Sequence, residues 1–337
     1  MARNVTEIIK GIRKKYGEAS VIMGSELQPV KLFPTRLAQL DLHLGGGLPM
    51  GRISIIAGKP SSGKSSIAMQ AASNFQKNGF QIVWVDLEKS FDVERAKTFD
   101  LDVSNIIYMK TSRDNILWAE KVRPQLQTII QDFNASEDNR LFLVMDSLAA
   151  NTIEDGFEKD AGKMMGGDAK ANNQLIRNIN TLLDDNQCFL LINEFREKMV
   201  LMGDPSYMPG GLGQYYFASS IIYTRGGEPI KVGSNQTGEI FKWTVKKSRT
   251  SPPKEVGEIK FDYVNGFDIE GSLIETAGDL EVIKKGGAGW YNLPNGEKVQ
   301  GLDKFVETMK HNKAFFDEIE KQTYAKMPYP LYQSTIV

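Results

Sequence analysis

Eight consecutive residues, Gly58-Lys59-Pro60-Ser61-Ser62-Gly63-Lys64-Ser65, have the composition and spacing of a loop that wraps phosphate oxygens. Glycines let backbone N–H groups approach an anion closely, while a lysine ammonium neutralises the outer oxygens and the hydroxyl beside it can ligate Mg²⁺. Lys64 and Ser65 take those last two parts, and Ser66 is grouped with the loop as a nucleotide-binding position. Two other apolar runs end in acid: Leu141–Met145 leads to Asp146, and Val85 leads to Asp86-Leu87-Glu88. A carboxylate at the C-terminal end of a buried strand can hold magnesium through water, the part expected of Asp146. Glu88, on the same edge, could orient an attacking water as a general base, although a solvated loop carboxylate explains it equally well. The chemistry these residues could carry is phosphoryl transfer from a magnesium-bound nucleoside triphosphate.

Such a loop works only where a strand delivers it to a helix. Ile53–Ala57 reads as that strand and Ser65–Lys77 as the helix. Further strands are expected at Ile82–Val85, Leu141–Met145 and Phe189–Ile192, with helices at Ile116–Asp132 and Asp168–Asp184, and the rhythm changes after Lys247, from Glu258–Tyr263 on. This alternation predicts an α/β fold, a P-loop ATPase core with a mostly parallel central sheet. Thr6–Tyr16 predicts a short helix with Ile8, Ile9 and Ile12 on one face, set off by the polar stretch Gly17–Gln28. Leu302–Thr323 predicts a charged closing helical stretch. The expected organisation is an N-terminal arm over 1–30, an ATPase and DNA-binding core over 31–265, a small C-terminal α/β domain over 266–326 and a flexible tail over 327–337.

With 337 residues, 41% of them apolar, the chain can bury a large core. No run approaches the roughly 18 apolar residues of a membrane helix, and the N-terminus lacks a secretory pattern, so a cytoplasmic location is expected. Cys188 is the one cysteine and His43 and His311 the two histidines, which leaves little for a thiolate or zinc site. A net charge of −1 gives no global basic signature, so any nucleic-acid site must be local. Two stretches have the composition of long loops: Ile153–Gly167, with Lys159 and Lys163 among four glycines, and Phe195–Leu212, with Arg196, Lys198, Gly210 and Gly211. Loops of that length within a domain are commonly functional or disordered.

Taken in order, Gly51-Arg52-Ile53, Gly58–Ser65, Val85–Asp92, Asp146-Ser147, Ile192-Asn193-Glu194, Gly210-Gly211, Lys247-Ser248-Arg249 and Gly289-Trp290-Tyr291 resemble the RecA family over nearly the whole chain. Lys247–Thr250 is especially similar to the phage recombinases of the UvsX type. The resemblance implies ATP and Mg²⁺ as cofactors, DNA-stimulated hydrolysis, and a helical filament on single-stranded DNA that pairs it with homologous duplex. It implies that Glu88 is the catalytic base, that Asp92 lies near the adenine, and that Tyr263 meets the base across a subunit interface. Arg95 stands where bacterial relatives carry an adenine-stacking tyrosine, and a guanidinium can also stack on a purine. Lys247 and Arg249 match paired cations that reach a neighbour's γ-phosphate. Met165, Gly166 and Lys170 match the first DNA loop and its helix; Arg196, Lys198 and Met199, with Gly210 and Gly211, match the second.

Glu194 stands where bacterial relatives have a glutamine that senses the γ-phosphate. A carboxylate about 5 Å from another negative charge is repelled by roughly 3 kcal/mol at an effective dielectric of about 20, which disfavours direct contact. Sensing through Mg²⁺, a water, Arg196 or a neighbour's Lys247 is expected instead. Two other readings stay open at this point, a ring helicase or nucleotide-dependent switch on the same core, and a DNA-coating scaffold with negligible hydrolysis.

Overall fold

Aliphatic runs too long and unbroken for a half-exposed strand become, in three dimensions, strands buried on both faces. The structure, a computed structural model, describes residues 4–154, 167–197, 206–253, 255–292, 296 and 298–332. It comprises two units, Met1–Val30 and Lys31–Val337. In the first, helix α1 (Val5–Tyr16) starts at Asn4, whose side chain accepts from the Thr6 N–H, and contains no buried residue. After it the chain turns back, so that Arg13 donates to the Val21 carbonyl at 3.0 Å and pairs with Glu26 at 3.1 Å.

The second unit is built on strands β1 (Arg52–Gly58), β2 (Gln81–Asp86), β3 (Ile106–Lys110), β4 (Leu141–Asp146), β5 (Gln187–Glu194), β6 (Ser220–Arg225), β7 (Pro229–Val232), β8 (Asn235–Ser248), β9 (Val256–Asp262) and β10 (Gly266–Phe267). They form one sheet in the order β10-β9-β8-β6-β1-β5-β4-β2-β3, with β7 also paired to β8. The six strands from β6 to β3 are parallel, and β7 to β10 extend the sheet antiparallel. Successive side chains point to opposite faces. Ile56, Trp84, Phe142 and Ile192 therefore pack with α3 (Lys64–Lys77) through Phe75, while Ile55, Val85, Leu143 and Leu191 pack with α5 (Ala119–Asn134) and α6 (Gly167–Leu182) through Leu126 and Ile176. Helices α2 (Ala38–Leu44) and α4 (Val93–Thr98) precede α5 in the chain. The register pairs Gly58 with Glu194 and Asp86 with Asp146, so the acidic strand ends and the glycine-rich loop share one edge.

After β10 come α8 (Ile269–Asp279), a small three-stranded sheet, α9 (Leu302–His311) and α10 (Lys313–Ala325), packed around Leu273, Tyr291, Phe305, Met309 and Ile319. The helical stretch expected over 302–323 consists of two helices. Asn312 ends the first and caps the second, its side chain accepting from the Phe315 N–H at 3.1 Å. The tail differs from expectation over 327–332. Leu32 donates to the Pro330 carbonyl, Tyr332 to that of Leu32, and the Tyr332 ring lies against Phe33 and Phe80. Its hydroxyl reaches Asn186 at 2.6 Å. Aromatic burial and backbone pairing thus hold a segment that proline content alone marks as loose; residues 333–337 lie outside the described part.

Candidate functional site

The loop between β1 and α3 folds tightly because two glycines leave room that a side chain would fill. A Cβ on Gly63, which sits at φ +83°, would meet the Phe241 ring at 2.8 Å, and one on Gly58 would meet the Ser62 and Thr224 hydroxyls at 2.4 Å. Ser62 and Thr224 are themselves hydrogen-bonded at 2.8 Å, tying the loop to β6. The Lys64 ammonium turns back into the loop, donating to the Gly58 and Lys59 carbonyls at 3.2 and 2.9 Å. Burial lowers its pKa, against the raising effect of Glu194, Asp146 and Glu88 around it. Lys59, Pro60 and Ser61 form the exposed lip of the loop.

Ser65 donates to Asp146 at 2.7 Å. Burial, with Glu88 and Asp86 close by, pushes the Asp146 carboxyl up to about 6, although the Ser65 hydrogen bond pulls the other way. Glu88 accepts a short hydrogen bond from the buried Ser147 hydroxyl. Glu194 lies 3.9 Å from the Lys64 ammonium, and its N–H donates to the Asn193 side chain. Lys64 is thus a cation beside Glu194 within the same chain. Lys64, Ser65, Glu88, Asp146 and Glu194 come together at one edge of the sheet, with Ser147 a member that the linear pattern gave no role.

Asp92 caps α4, accepting from the Arg95 N–H at 2.8 Å. The Arg95 guanidinium reaches Ser66 at 2.6 Å and lies over the Phe261 ring at 5.5 Å. This places Arg95 against the first turn of α3. Tyr263 is about half exposed (47%), and its hydroxyl accepts from Gln236. Lys247 donates to the Tyr215 and Tyr216 carbonyls, and Arg249 to that of Tyr216, at the end of the short helix α7 (Gly213–Phe217). Among the described residues none of these hydrogen bonds reaches the phosphate loop of the same chain.

Of the two expected DNA loops, Lys170 is exposed on the first turn of α6, and Arg196 pairs with Tyr207 in a short antiparallel ladder. Gly210 and Gly211 adopt positive φ, at 100° and 89°, where the second loop returns to the core. Met165, Gly166, Lys198 and Met199 lie outside the described residues. The return is held by Gln214, which no motif announces, and by Asn193. Gln214, fully buried, donates to the Pro209 and Gly211 carbonyls at 2.8 and 2.9 Å, and Asn193 donates to Gln214 at 2.7 Å. The same asparagine that receives the Glu194 N–H thus grips the base of the second loop. Of the aromatic run beside it, Tyr215 and Phe217 pack on the core and Tyr216 is exposed.

Comparison with known proteins matches residues 3–268 to the RecA N-terminal domain and residues 271–328 to the RecA C-terminal domain. Among curated relatives, the protein RecA of Arthrospira platensis is 30% identical over 96% of this chain and 87% of its own length. That of Saccharopolyspora erythraea is 31% identical over 94% of this chain and 90% of its own. That of Ureaplasma parvum is 28% identical over 94% and 93%.

Proposed function

This chain belongs to the RecA family, and from that premise we infer that it is an ATP-driven recombinase. It assembles as a helical filament on single-stranded DNA, hydrolyses ATP under DNA stimulation, and pairs the bound strand with homologous duplex. The observation that carries this reading is the convergence of Lys64, Ser65, Glu88, Asp146 and Glu194 on one sheet edge, with the last of these strands running straight into the second loop.

The residues fit the nucleotide and its metal. A buried ammonium that donates to the Gly58 and Lys59 carbonyls of the loop, at its helix N-terminus, is set for an anion. The Ser65 hydroxyl would ligate Mg²⁺ directly and Asp146 would hold it through water; a divalent cation would offset the burial that chiefly raises the Asp146 pKa, and the smaller effect of Glu88 and Asp86. Bound there, Mg²⁺ would supply charge compensation for the phosphates. Lys64 orients and neutralises the outer phosphate oxygens. Glu88, aimed by the Ser147 hydroxyl, accepts the proton of the attacking water. Arg95 and Asp92 contact the base side of the nucleotide, and Lys247, Arg249 and Tyr263 complete the site of the adjacent subunit.

Lys170, Arg196, Gly210 and Gly211, with Met165, Gly166, Lys198 and Met199, form the DNA-binding surface. There cations meet phosphates and apolar side chains meet bases without reading sequence. Glu194 senses nucleotide through Lys64 and passes its state through Asn193 to Gln214 and the second loop. The test is electron microscopy with single-stranded DNA and ATP, alongside ATP turnover with and without DNA. Helical filaments and DNA-stimulated turnover are expected; closed rings would favour a helicase, and filaments without turnover a coating scaffold.

A further inference from the structure

Among the described residues strand β3 is the last on its side of the sheet, paired to β2 alone, and two of its large side chains stand in solvent, Ile107 at 37% and Tyr108 at 40% exposure. Tyr108 is more than an aromatic left on an edge. Its hydroxyl donates to the Asp86 carboxylate at 2.6 Å, a short, charge-assisted hydrogen bond. Asp86 is 1% exposed, so each donor it receives counts. The other two are backbone amides of the turn that follows: the Ser90 N–H at 3.1 Å and the Phe91 N–H at 3.1 Å. Those amides close the turn that carries Glu88, and Lys89 within it adopts a left-handed φ of 56°. Neighbouring rings fix the direction of the hydroxyl, since Phe91 lies 5.4 Å from Tyr108 and Trp84 lies 5.0 Å from Phe91.

We propose that Tyr108 is a positioning residue for hydrolysis: its hydroxyl holds the Asp86 carboxylate, and Asp86 holds the turn that presents Glu88. This rests on the reading of Glu88 as the base of an ATPase. Glu88 has two anchors, the Ser147 hydroxyl at its carboxylate and the Asp86-closed turn at its backbone. Without the phenol, Asp86 keeps two neutral amides and no side-chain donor among the described residues. A buried carboxylate short of donors turns toward another partner or draws in water, and the turn follows it. The phosphate loop is fixed independently of this turn, by Thr224, Phe241 and Lys64. The effect belongs to kcat and not to ATP binding.

Tyr108→Phe keeps the ring and removes only the donor. DNA-stimulated kcat is expected to fall about 10- to 100-fold, the loss of one hydrogen bond to a charged group, with KM for ATP unchanged within about twofold. A second measurement separates positioning from general loosening. If Tyr108 acts through Glu88, adding Tyr108→Phe to Glu88→Gln slows residual turnover no further, whereas independent effects multiply. Wild-type kcat in Tyr108→Phe, a rise in KM at constant kcat, or a multiplicative double mutant would each overturn the proposal while wild-type turnover stands. Absence of turnover in the wild type would instead remove the ATPase reading, and this proposal with it.

Discussion

Asp146 carries a cost that the proposed magnesium-holding role explains. Burial is the main cause that raises its carboxyl to about 6, with Glu88 and Asp86 adding to it, so the folded protein binds this proton more tightly than the unfolded chain does. For a carboxylate raised in this way, the folded state gains at low pH, and that gain is lost as pH rises through about 6. At pH 7.5 the nucleotide-free protein therefore holds an ionised group at a disadvantage. Asp146→Asn, which still accepts from Ser65, is expected to raise stability at pH 7.5 by roughly 1–3 kcal/mol, with the gain shrinking toward pH 5. DNA-stimulated hydrolysis is expected to be lost with it. Urea unfolding at the two pH values checks this; a pH-independent difference would show that the charge is carried without penalty. Lys64, Ser65 and Asp146 were legible because each sits in a local run whose order dictates its place on strand, loop or helix. Ser147, Phe241 and Gln214 were not legible. They act on partners far away in the chain, and no local periodicity encodes which side chains a sheet register will bring together.

At the scale of elements, the parallel strands were readable because burial on both faces leaves unbroken aliphatic runs, as in β4, where every residue is buried. The antiparallel extension was read only in part. Strand β8 runs Asn235–Ser248 with Lys242 and Lys246 on its surface, and such interrupted hydrophobicity does not distinguish a long half-exposed strand from loop. That strand delivers Lys247 to the end of α7, and Arg249 follows directly after it; both donate to carbonyls there, while burial and Arg249 lower the Lys247 pKa. Two roles compete for these cations. As caps on an exposed five-residue helix end they contribute under about 1 kcal/mol, whereas a cation at a neighbour's transferring phosphate is worth about 100-fold or more in rate. Lys247→Ala and Arg249→Ala are thus expected to leave thermal unfolding almost unchanged, retain ATP binding, and suppress DNA-stimulated turnover about 100-fold. Unchanged turnover in either variant would assign that residue to capping alone.

At the scale of the whole molecule, the first thirty residues and the rest answer different physical demands. Lys31–Val337 has its own hydrophobic clusters on both faces of the sheet and under the C-terminal helices, and residues 327–332 close over Phe33 and Phe80 at its surface. Among the described residues the Met1–Val30 unit has none: α1 is 12 residues long with no buried residue, and Val5, Ile8, Ile22, Met23 and Leu27 are exposed. Helices of that length are marginal in water without a packed face, so the Asn4 cap and the Arg13 contacts hold a shape whose apolar stripe still needs a partner. In a homopolymer that partner is a different surface on the next subunit, and a head-to-tail contact of this kind propagates as an open helix where its rotation does not close a ring. Deleting residues 1–24 is therefore expected to leave a cooperatively folding protein with its circular dichroism and ATP binding intact, yet unable to form filaments on single-stranded DNA. Sedimentation and electron microscopy of the truncated chain decide the matter. Filaments of normal length would place assembly elsewhere on the core, and a chain that no longer folds would show that the first unit supports the second in ways its exposed surface does not reveal.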